Sequence, residues 1–365
     1  MIFYPYHLAH SEDEAFSFNS QTEKNVIGCL LPLSGEYETL GKKALRGLLT
    51  ATDLLNSGSS FQLIVKDTGS DRTNIKDSIS ELAREKVSFV VAPVGTNSID
   101  EVSAGAESYR VPTLVFPLSE TNSTDNPYLM KFTYSVEKQA DVLAEYAVKV
   151  VGIKTFGILH PRTRLGTLFK EAFSKSVKKH GRQVTYTGSY NSNLTNTSTE
   201  FEWIKSIQPE ALFIPDGASH SGELIMKLKQ EVTLGNLLFI GPNTWNSRAF
   251  LDIVGKQADG VVFRVLFTDY FYHGEKAWTD FSNKYKSLFD GEEPGFVEYQ
   301  LYTAIKLTLN PFKTVIPKRD EVMKRLLVET STERFNITQS IGGSLEISPK
   351  PQILTVKDGD IFRLN

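Results

Sequence analysis

The chain has 365 residues, a length that favours about two or three domains. Of these residues 40% are hydrophobic and 23% are charged, which is an ordinary composition for a globular protein. Its formal net charge of −3 argues against nucleic acid as the main partner, because a nucleic-acid-binding surface is basic. No apolar run approaches the roughly 18 residues that a membrane span requires, so we expect no transmembrane segment.

The first 24 residues lack the basic and then apolar regions of a signal peptide. We expect either a disordered or loosely docked leader, or the cut edge of a longer precursor. The only cysteine, Cys29, lies in an apolar run and cannot form an internal disulfide. We therefore expect a small core residue rather than a reactive thiol.

The first element is an apolar run over residues 26–31, which predicts a buried strand. Pro32 and Ser34-Gly35 end the strand, because proline removes a backbone donor and glycine permits a sharp bend. After Gly41 the apolar residues recur at helical spacing. A parallel strand followed by a loop and a helix places the loop, with Ser34, at the carboxyl edge of a sheet, where ligands bind.

Strands and helices alternate in two successive series along the chain, and a polar, loop-like stretch separates the two series. Short apolar strands separated by helices predict two parallel-sheet domains. The predicted strands are 61–65, 87–92, 111–116, an extended piece at 131–135, then 155–159, 183–187, 211–214, 237–240 and 260–265. The predicted helices of the second series are 138–151, 165–180, 200–207, 223–231 and 248–254.

The last hundred residues change character. They predict three helices, over 275–289, 295–309 and 318–328, which we expect to pack on the first sheet. From residue 343 onward apolar residues alternate with others, which predicts strands, and Asp358-Gly359 predicts a hairpin turn between two of them. We expect this hairpin on the second domain.

The predicted fold class is α/β, with two doubly wound parallel-sheet lobes joined by three crossover strands. We expect residues 25–133 with 270–338 in the N-terminal lobe and 134–269 with 339–365 in the C-terminal lobe.

The motifs that commonly carry catalysis do not match this chain. The glycine-rich stretch 35–43 has the wrong spacing for a phosphate loop, and the serine-rich stretch 217–222 lacks a nucleophile elbow. The six histidines are scattered and have no zinc-site spacing. We therefore expect a non-enzymatic protein with no cofactor and no metal.

Several segments occur in an order that resembles type I periplasmic binding proteins of the leucine-binding kind, from residue 25 to 364. They include LPLSG at 31–35, VVAPVGTNS at 90–98, VPTLVFPLSETNS at 111–123 and KTFGILHPRTRLGTLFKEAF at 154–173. The resemblance implies a periplasmic or envelope-associated receptor whose lobes close by a hinge motion. It implies an amino-acid-like or other small polar ligand in the interlobe cleft, delivered to an ABC transporter permease.

A second resemblance, to penicillin-binding-protein activators, is carried by FIPDGAS at 213–219 and GPNTWNS at 241–247. It implies the alternative function, a cell-envelope regulator that binds a peptidoglycan synthase. Trp245 would then be an exposed anchor in the interface, or it would pack at a helix start or over the cleft.

The leucine-binding resemblance also implies ligand residues in the first lobe. Thr96, beside Asn97, falls where a hydroxyl holds the ligand carboxylate, although both residues also favour a helix N-cap. In the next loop Glu120 falls where a hydroxyl is expected, flanked by Ser119 and Thr121.

In the second lobe the carried-over positions depart from the family pattern. Leu165 replaces an aromatic residue, and Asn243 replaces the acid that pairs with an ammonium group. A neutral amide cannot serve as that charge partner, so free leucine, isoleucine and valine are expected to bind weakly or not at all. Asp216 is the one formal negative charge among these positions, and it could instead cap the next helix.

Overall fold

The computed structural model describes residues 25–56, 59, 61–69, 74–93, 99–117, 125–191, 194, 197–231, 236–255, 264–312, 316, 319–329 and 335–364. The chain divides into two compact units. The first runs to Thr133 and resumes over Lys276–Pro349, and the second comprises Tyr134–Glu275 and the residues from Lys350 onward. The chain therefore passes from one unit to the other three times.

Each unit contains one seven-stranded sheet, with strands numbered along the chain. The first sheet contains β1 (Asn25–Leu31), β2 (Phe61–Asp67), β3 (Phe89–Ala92), β4 (Thr113–Val115), β5 (Leu129–Phe132), β11 (Phe335–Gln339) and β12 (Leu345–Pro349). The second sheet contains β6 (Thr155–Pro161), β7 (Gln183–Tyr190), β8 (Ala211–Phe213), β9 (Leu238–Gly241), β10 (Arg264–Asp269), β13 (Gln352–Lys357) and β14 (Asp360–Leu364).

The helices lie between these strands in sequence. Those of the first unit are α1 (Glu38–Thr52), α2 (Ile75–Arg84), α3 (Ile99–Tyr109), α9 (Lys276–Leu288), α10 (Phe296–Leu309) and α11 (Arg319–Glu329). Those of the second are α4 (Val136–Tyr146), continued by a π-helical turn (Ala147–Val151), α5 (Arg164–Lys179), α6 (Ser198–Ile207), α7 (Ala218–Glu231) and α8 (Arg248–Val254). No helix among the described residues is both long and apolar enough to cross a membrane.

Both sheets are parallel except at one edge. The first has the order β11-β12-β5-β4-β3-β1-β2, and only the β11–β12 pair is antiparallel. The second has the order β14-β13-β10-β9-β8-β6-β7, in which β13 pairs antiparallel with both β10 and β14. These sheets confirm the predicted α/β class with two doubly wound sheets.

Two predicted passages between the units were placed too early in the sequence. The chain stays in the second unit through Glu275, where Gln352 of β13 donates a hydrogen bond to the Glu275 carboxylate. It stays in the first unit through Pro349, because β11 pairs with β12 and β12 pairs with β5. Strand β11 was not predicted, and the stretch 345–349 was wrongly expected in the second sheet.

The second sheet is covered on both faces. Adjacent residues Leu212 and Phe213 of β8 enter different hydrophobic clusters, one with Phe250 of α8 and the other with Phe173 of α5. Phe173 stacks on Phe213 at 4.1 Å between ring centroids. Alternating side chains thus bury both faces, as continuous apolar strands require.

Two local predictions are confirmed by the structure. Cys29 has no exposed surface, and burial raises the pKa of its thiol far above the ordinary value, so the residue is an inert part of the core. Asp358 and Gly359 both have positive φ, 53° and 82°, and Lys357 pairs with Asp360 across them. This is the two-residue turn that a hairpin favours.

Each unit contains the same kind of close contact, between the end of its first parallel strand and the start of the helix that follows that strand. In the first unit, a Cβ on Gly41 of α1 would lie 2.0 Å from the Pro32 carbonyl oxygen. In the second unit, a Cβ on Gly166 of α5 would lie 2.4 Å from the Pro161 carbonyl oxygen. Only glycine allows the helix start to approach the strand end this closely.

We expect Gly166→Ala to lower the free energy of unfolding by about 1–3 kcal/mol, because its methyl group would overlap a backbone oxygen that cannot rotate away. Urea denaturation measures this change. Gly217→Ala is the matched control, since no atom lies within 4 Å of its added Cβ, and it should stay within about 0.5 kcal/mol of the wild type. Equal stability of the two variants would contradict the tight junction.

Candidate functional site

The predicted ligand residues of the first unit divide into two groups. Thr96, Asn97, Ser119, Glu120 and Thr121 lie outside the described residues, so their roles stay predictions. Ser34 is described, and it lies exposed in the loop after β1.

The loop that carries Ser34 is fastened to the neighbouring strand by Asp67, the last residue of β2. The Asp67 Oδ1 atom accepts hydrogen bonds from the backbone N–H of Leu33 at 2.7 Å and of Gly69 at 2.8 Å. Burial raises the pKa of Asp67, but the hydrogen bonds from Gly69, Ser34 and Leu33 outweigh it and lower the pKa below its ordinary value. The Ser34 hydroxyl therefore helps to hold the loop.

A lowered folded-state pKa means that Asp67 stabilises the fold above its unfolded pKa of about 3.9. That stability is lost as the pH falls through the folded-state pKa. We expect Asp67→Asn to cost about 1 kcal/mol at pH 7, allowing for its partial exposure, and the difference from the wild type to shrink below about pH 4. Urea denaturation from pH 7 to pH 3 tests this. A difference that is unchanged at pH 3 would show that the charge has no role.

The second unit brings three of the predicted positions to one edge. Strands β7, β6, β8 and β9 are successive neighbours and parallel, so the segments after β6, β8 and β9 lie side by side at their carboxyl ends. Leu165, in the first turn of α5, is 38% exposed there. Asp216 follows β8, and Asn243 begins a 3-10 turn after β9.

Asp216 is held by neighbouring groups of the protein. The Tyr190 hydroxyl donates to Asp216 Oδ2 at 2.8 Å, the Gly217 N–H donates to Oδ1 at 2.7 Å, and the Thr244 hydroxyl donates to the Asp216 carbonyl at 2.6 Å. Burial, the Asp216 charge and this hydrogen bond together raise the pKa of Tyr190, so its phenol stays a donor. Asp216 thus links the segment after β8 to the end of β7 through its carboxylate and to the turn after β9 through its backbone carbonyl.

Trp245 occupies a different place from the one the alternative function requires. Its side chain has no exposed surface, and its ring stacks on Phe250 at 4.6 Å between centroids. The ring lies flat against Gly241, where a Cβ would come within 2.1 Å of it. The hypothesis of an exposed anchor is therefore wrong, whereas the other reading, in which Trp245 packs at a helix start, agrees with its contact to Phe250 of α8.

Asn243 is partly exposed, and its backbone N–H donates to Gln139 Oε1 at 3.0 Å. This contact positions the turn after β9 against α4. Asn243 is neutral, so this position lacks the acid that, by the resemblance, would pair with the ammonium group of a ligand.

Sequence analysis missed a cavity of about 400 Å³, largely open to solvent, at the end of β6 and the start of α5. Its lining residues are His160, Arg162, Thr163, Arg164, Thr167 and Leu168. The sequence signal was present, since HPRTRLG places two arginines between a predicted strand and a predicted helix. This segment contributed only to the resemblance to leucine-binding proteins, and its two arginines were not predicted to contact a ligand.

The surroundings of His160 are positively charged. Burial lowers the pKa of His160 most, the Pro161 carbonyl opposes this, and the charges of Lys170 and Arg162 lower it further. The Nδ1 atom lies 2.9 Å from the Pro161 oxygen. Because a carbonyl only accepts, Nδ1 must carry the proton.

Comparison with known proteins gives the family of this chain. The family described as periplasmic binding protein matches residues 25–333. The chain belongs to this family. The match confirms the predicted type I, leucine-binding kind of receptor. The family's members are solute-binding proteins of the periplasm or the extracellular space.

Two curated relatives show partial similarity. The chain is 23% identical over 248 residues to Leu/Ile/Val-binding protein homolog 3 of Brucella melitensis, covering 65% of this chain and 66% of the relative. It is 28% identical over 182 residues to penicillin-binding protein activator LpoA of Glaesserella parasuis, covering 49% of this chain and 29% of the relative. The chain thus spans just under two thirds and less than one third of their lengths.

Among solved structures, a protein assigned to branched-chain amino acid ABC transport in Rhodospirillum rubrum has the same fold. Its TM-score is 0.79 at 16% identity, with 93% of this chain and all of that chain covered. At this level of identity the similarity concerns the fold alone.

Proposed function

We propose that this chain is a non-enzymatic receptor that binds a small polar solute for an ABC transporter. The observation that carries the proposal is the cavity lined by Arg162 and Arg164 at the carboxyl edge of the second sheet. Open α/β sheets bind ligands at this edge, and a volume of about 400 Å³ suits a small molecule.

The chemistry of the edge supports binding rather than catalysis. His160 contacts the Pro161 carbonyl, and the His220 ring lies 3.6 Å from the Asp216 carboxylate. Neither contact is the hydroxyl or thiol that a histidine base would activate. Asp216 in turn is engaged by Tyr190 and Gly217.

We further propose a periplasmic or envelope-associated location and a permease as the protein partner. The Brucella and Rhodospirillum relatives, named for branched-chain amino acids and ABC transport, support this proposal. The regulatory alternative lacks the exposed anchor that it would use, because Trp245 is a core residue, and its support is the partial similarity to a penicillin-binding protein activator.

A thermal-shift screen of the purified chain tests the receptor function. Free amino acids, small carboxylates, phosphate compounds and short peptides are the probes. A ligand present at 100 times its Kd should stabilise the chain by about 2.7 kcal/mol. A screen in which no compound of any class shifts the unfolding temperature would contradict the proposal.

We expect free leucine, isoleucine and valine to be weak or absent ligands. Their ammonium group requires a carboxylate partner, whereas Asn243 is neutral and Asp216 already accepts hydrogen bonds from Tyr190 and Gly217. Calorimetric titration with each amino acid measures this. Submicromolar affinity for leucine would show that the ammonium group finds a partner that this argument overlooks.

A further inference from the structure

We propose that Asp269, the last residue of β10, keeps a proton in the folded chain under conditions in which an exposed aspartate is ionised, and that this proton keeps the Gln352 amide turned toward Glu275. Asp269 and Gln352 then form a proton-dependent latch on the segment that leaves the second unit. The inference uses residues of the second unit alone and does not depend on the proposed receptor function.

The Asp269 side chain is buried among neutral groups. The residue is 1% exposed. Its Oδ1 atom accepts a hydrogen bond from the Tyr270 N–H at 2.7 Å, and its Oδ2 atom accepts one from Asn246 Nδ2 at 2.8 Å. Burial raises the pKa of Asp269 well above its ordinary value, and these two hydrogen bonds oppose the rise only in part. Two neutral donors do not replace the hydration that a buried carboxylate loses.

Charged neighbours do not change this balance. Strand β10 packs against α4, β13 and the turn after β9. The charged or titratable residues of the neighbouring segments are Glu137 and Lys138 in α4, Arg248 in α8, Tyr270, His273 and Glu275 after β10, and Lys350 before β13. None of them shifts the pKa of Asp269 through its charge. Burial therefore decides which protonation state is favoured.

Gln352 lies opposite Asp269 on the neighbouring strand. The two residues are direct partners in the antiparallel pair of β10 and β13, so their side chains leave the sheet on the same face, with Cβ atoms about 4.5–5.5 Å apart. Gln352 Nε2 donates to Glu275 Oε1 at 2.6 Å. Because a carboxylate only accepts, the amide must direct its nitrogen to Glu275 and its oxygen away from it.

Two buried oxygens on the partners of Asp269 have no donor among the described residues, Asn246 Oδ1 and Gln352 Oε1. Asn246 Nδ2 donates both to Asp269 and to the Phe271 carbonyl, which directs Asn246 Oδ1 away from Asp269. Gln352 Oε1 is therefore the acceptor for a proton on Asp269. A protonated carboxyl group still accepts hydrogen bonds, so the bonds from Tyr270 and Asn246 persist.

The two protonation states favour different orientations of the Gln352 amide. With the proton in place, Asp269 donates to Gln352 Oε1, and Gln352 Nε2 stays on Glu275. When the proton leaves to solvent, the Asp269 carboxylate and Gln352 Oε1 are two acceptors side by side. Turning Nε2 toward Asp269 is then favourable, because a buried carboxylate gains a donor. The same turn removes that donor from Glu275.

The latch connects two parts of the second unit. Glu275 is the last residue before the chain leaves this unit, and Gln352 joins its side chain to β13. At the other end, Asn246 joins Asp269 to the turn after β9, at the carboxyl edge of the sheet. Loss of the proton should therefore loosen the segment 270–275.

Infrared difference spectroscopy of the purified full chain detects the proton. The wild-type spectrum minus that of Asp269→Asn isolates this carboxyl group. At about pH 6 we expect the band of a protonated carboxyl, replaced by carboxylate bands as the pH rises. Asp252→Asn is the control, because Asp252 is exposed and contacts Arg248, and its difference spectrum should contain carboxylate bands only. If Asp269→Asn does not fold, NMR of isotope-labelled aspartate carboxyl carbons in the wild type should still show one protonated aspartate at about pH 6.

The pH dependence of stability tests the same proton. Because the folded-state pKa is raised, the stabilisation by Asp269 is complete below its unfolded pKa of about 3.9 and is lost as the pH rises through the folded-state pKa. Asp269→Asn removes this titration. Above about pH 5 the folded-to-unfolded ratio of the wild type should fall relative to that of the variant, by up to about tenfold for each pH unit. Urea denaturation at several pH values measures the ratio.

The NMR signal of the Gln352 side-chain amide tests the latch itself. Its loss in Gln352→Ala assigns the signal. We expect it to shift with pH at the midpoint of the infrared titration in the wild type, and to show no such shift in Asp269→Asn. The side-chain amide of Gln339 is the internal control, because it donates to the Gly343 carbonyl in the first unit.

Three results would overturn the inference. Carboxylate bands alone at about pH 6, or a stability ratio that is constant from about pH 5 to 9, would show that Asp269 is ionised in the folded chain. A protonated band that persists at about pH 9 would show that the latch does not open. A Gln352 signal that does not respond at the Asp269 midpoint would show that the proton does not orient this amide. The receptor function, which ligand binding tests, would stand in each case.

Discussion

The close contact between a strand-end carbonyl and a helix glycine determines the shape of both sheet edges. Gly41 over the Pro32 oxygen and Gly166 over the Pro161 oxygen bring each helix start against the strand that precedes it. The few residues between them cannot enter the core, because the helix already fills that space. They lie along the carboxyl edge instead, which is why Ser34 and Arg162 are exposed.

The edge residues then divide by charge. Acidic side chains hold loops together: Asp67 accepts from the loop after β1, and Asp216 accepts from Tyr190 at the end of β7. Arginines of the β6–α5 junction remain exposed beside a cavity. Hydrogen bonds satisfy oxygens of both carboxylates, so the two acids stabilise neighbouring segments of the structure.

Membership of the periplasmic binding protein family gives the architecture, whereas a few edge residues decide the ligand. The sheet order and the helices on both faces hold the edge in place, and they tolerate wide variation in the loops. Leu165 and Asn243 differ in chemistry from the aromatic and acidic residues that the resemblance led us to expect.

The sequence by itself determined the features that depend on neighbouring residues. Helix 248–254 and the Asp358-Gly359 turn follow from local patterns of apolar and turn-forming residues, and the structure shows both. Only the tertiary structure showed that Asp216 is held by Tyr190, that Trp245 is buried over Gly241, and that β12 joins the first sheet. These features depend on which strands pair and on how side chains pack in the folded chain. The local spacing of residue types does not encode either of them.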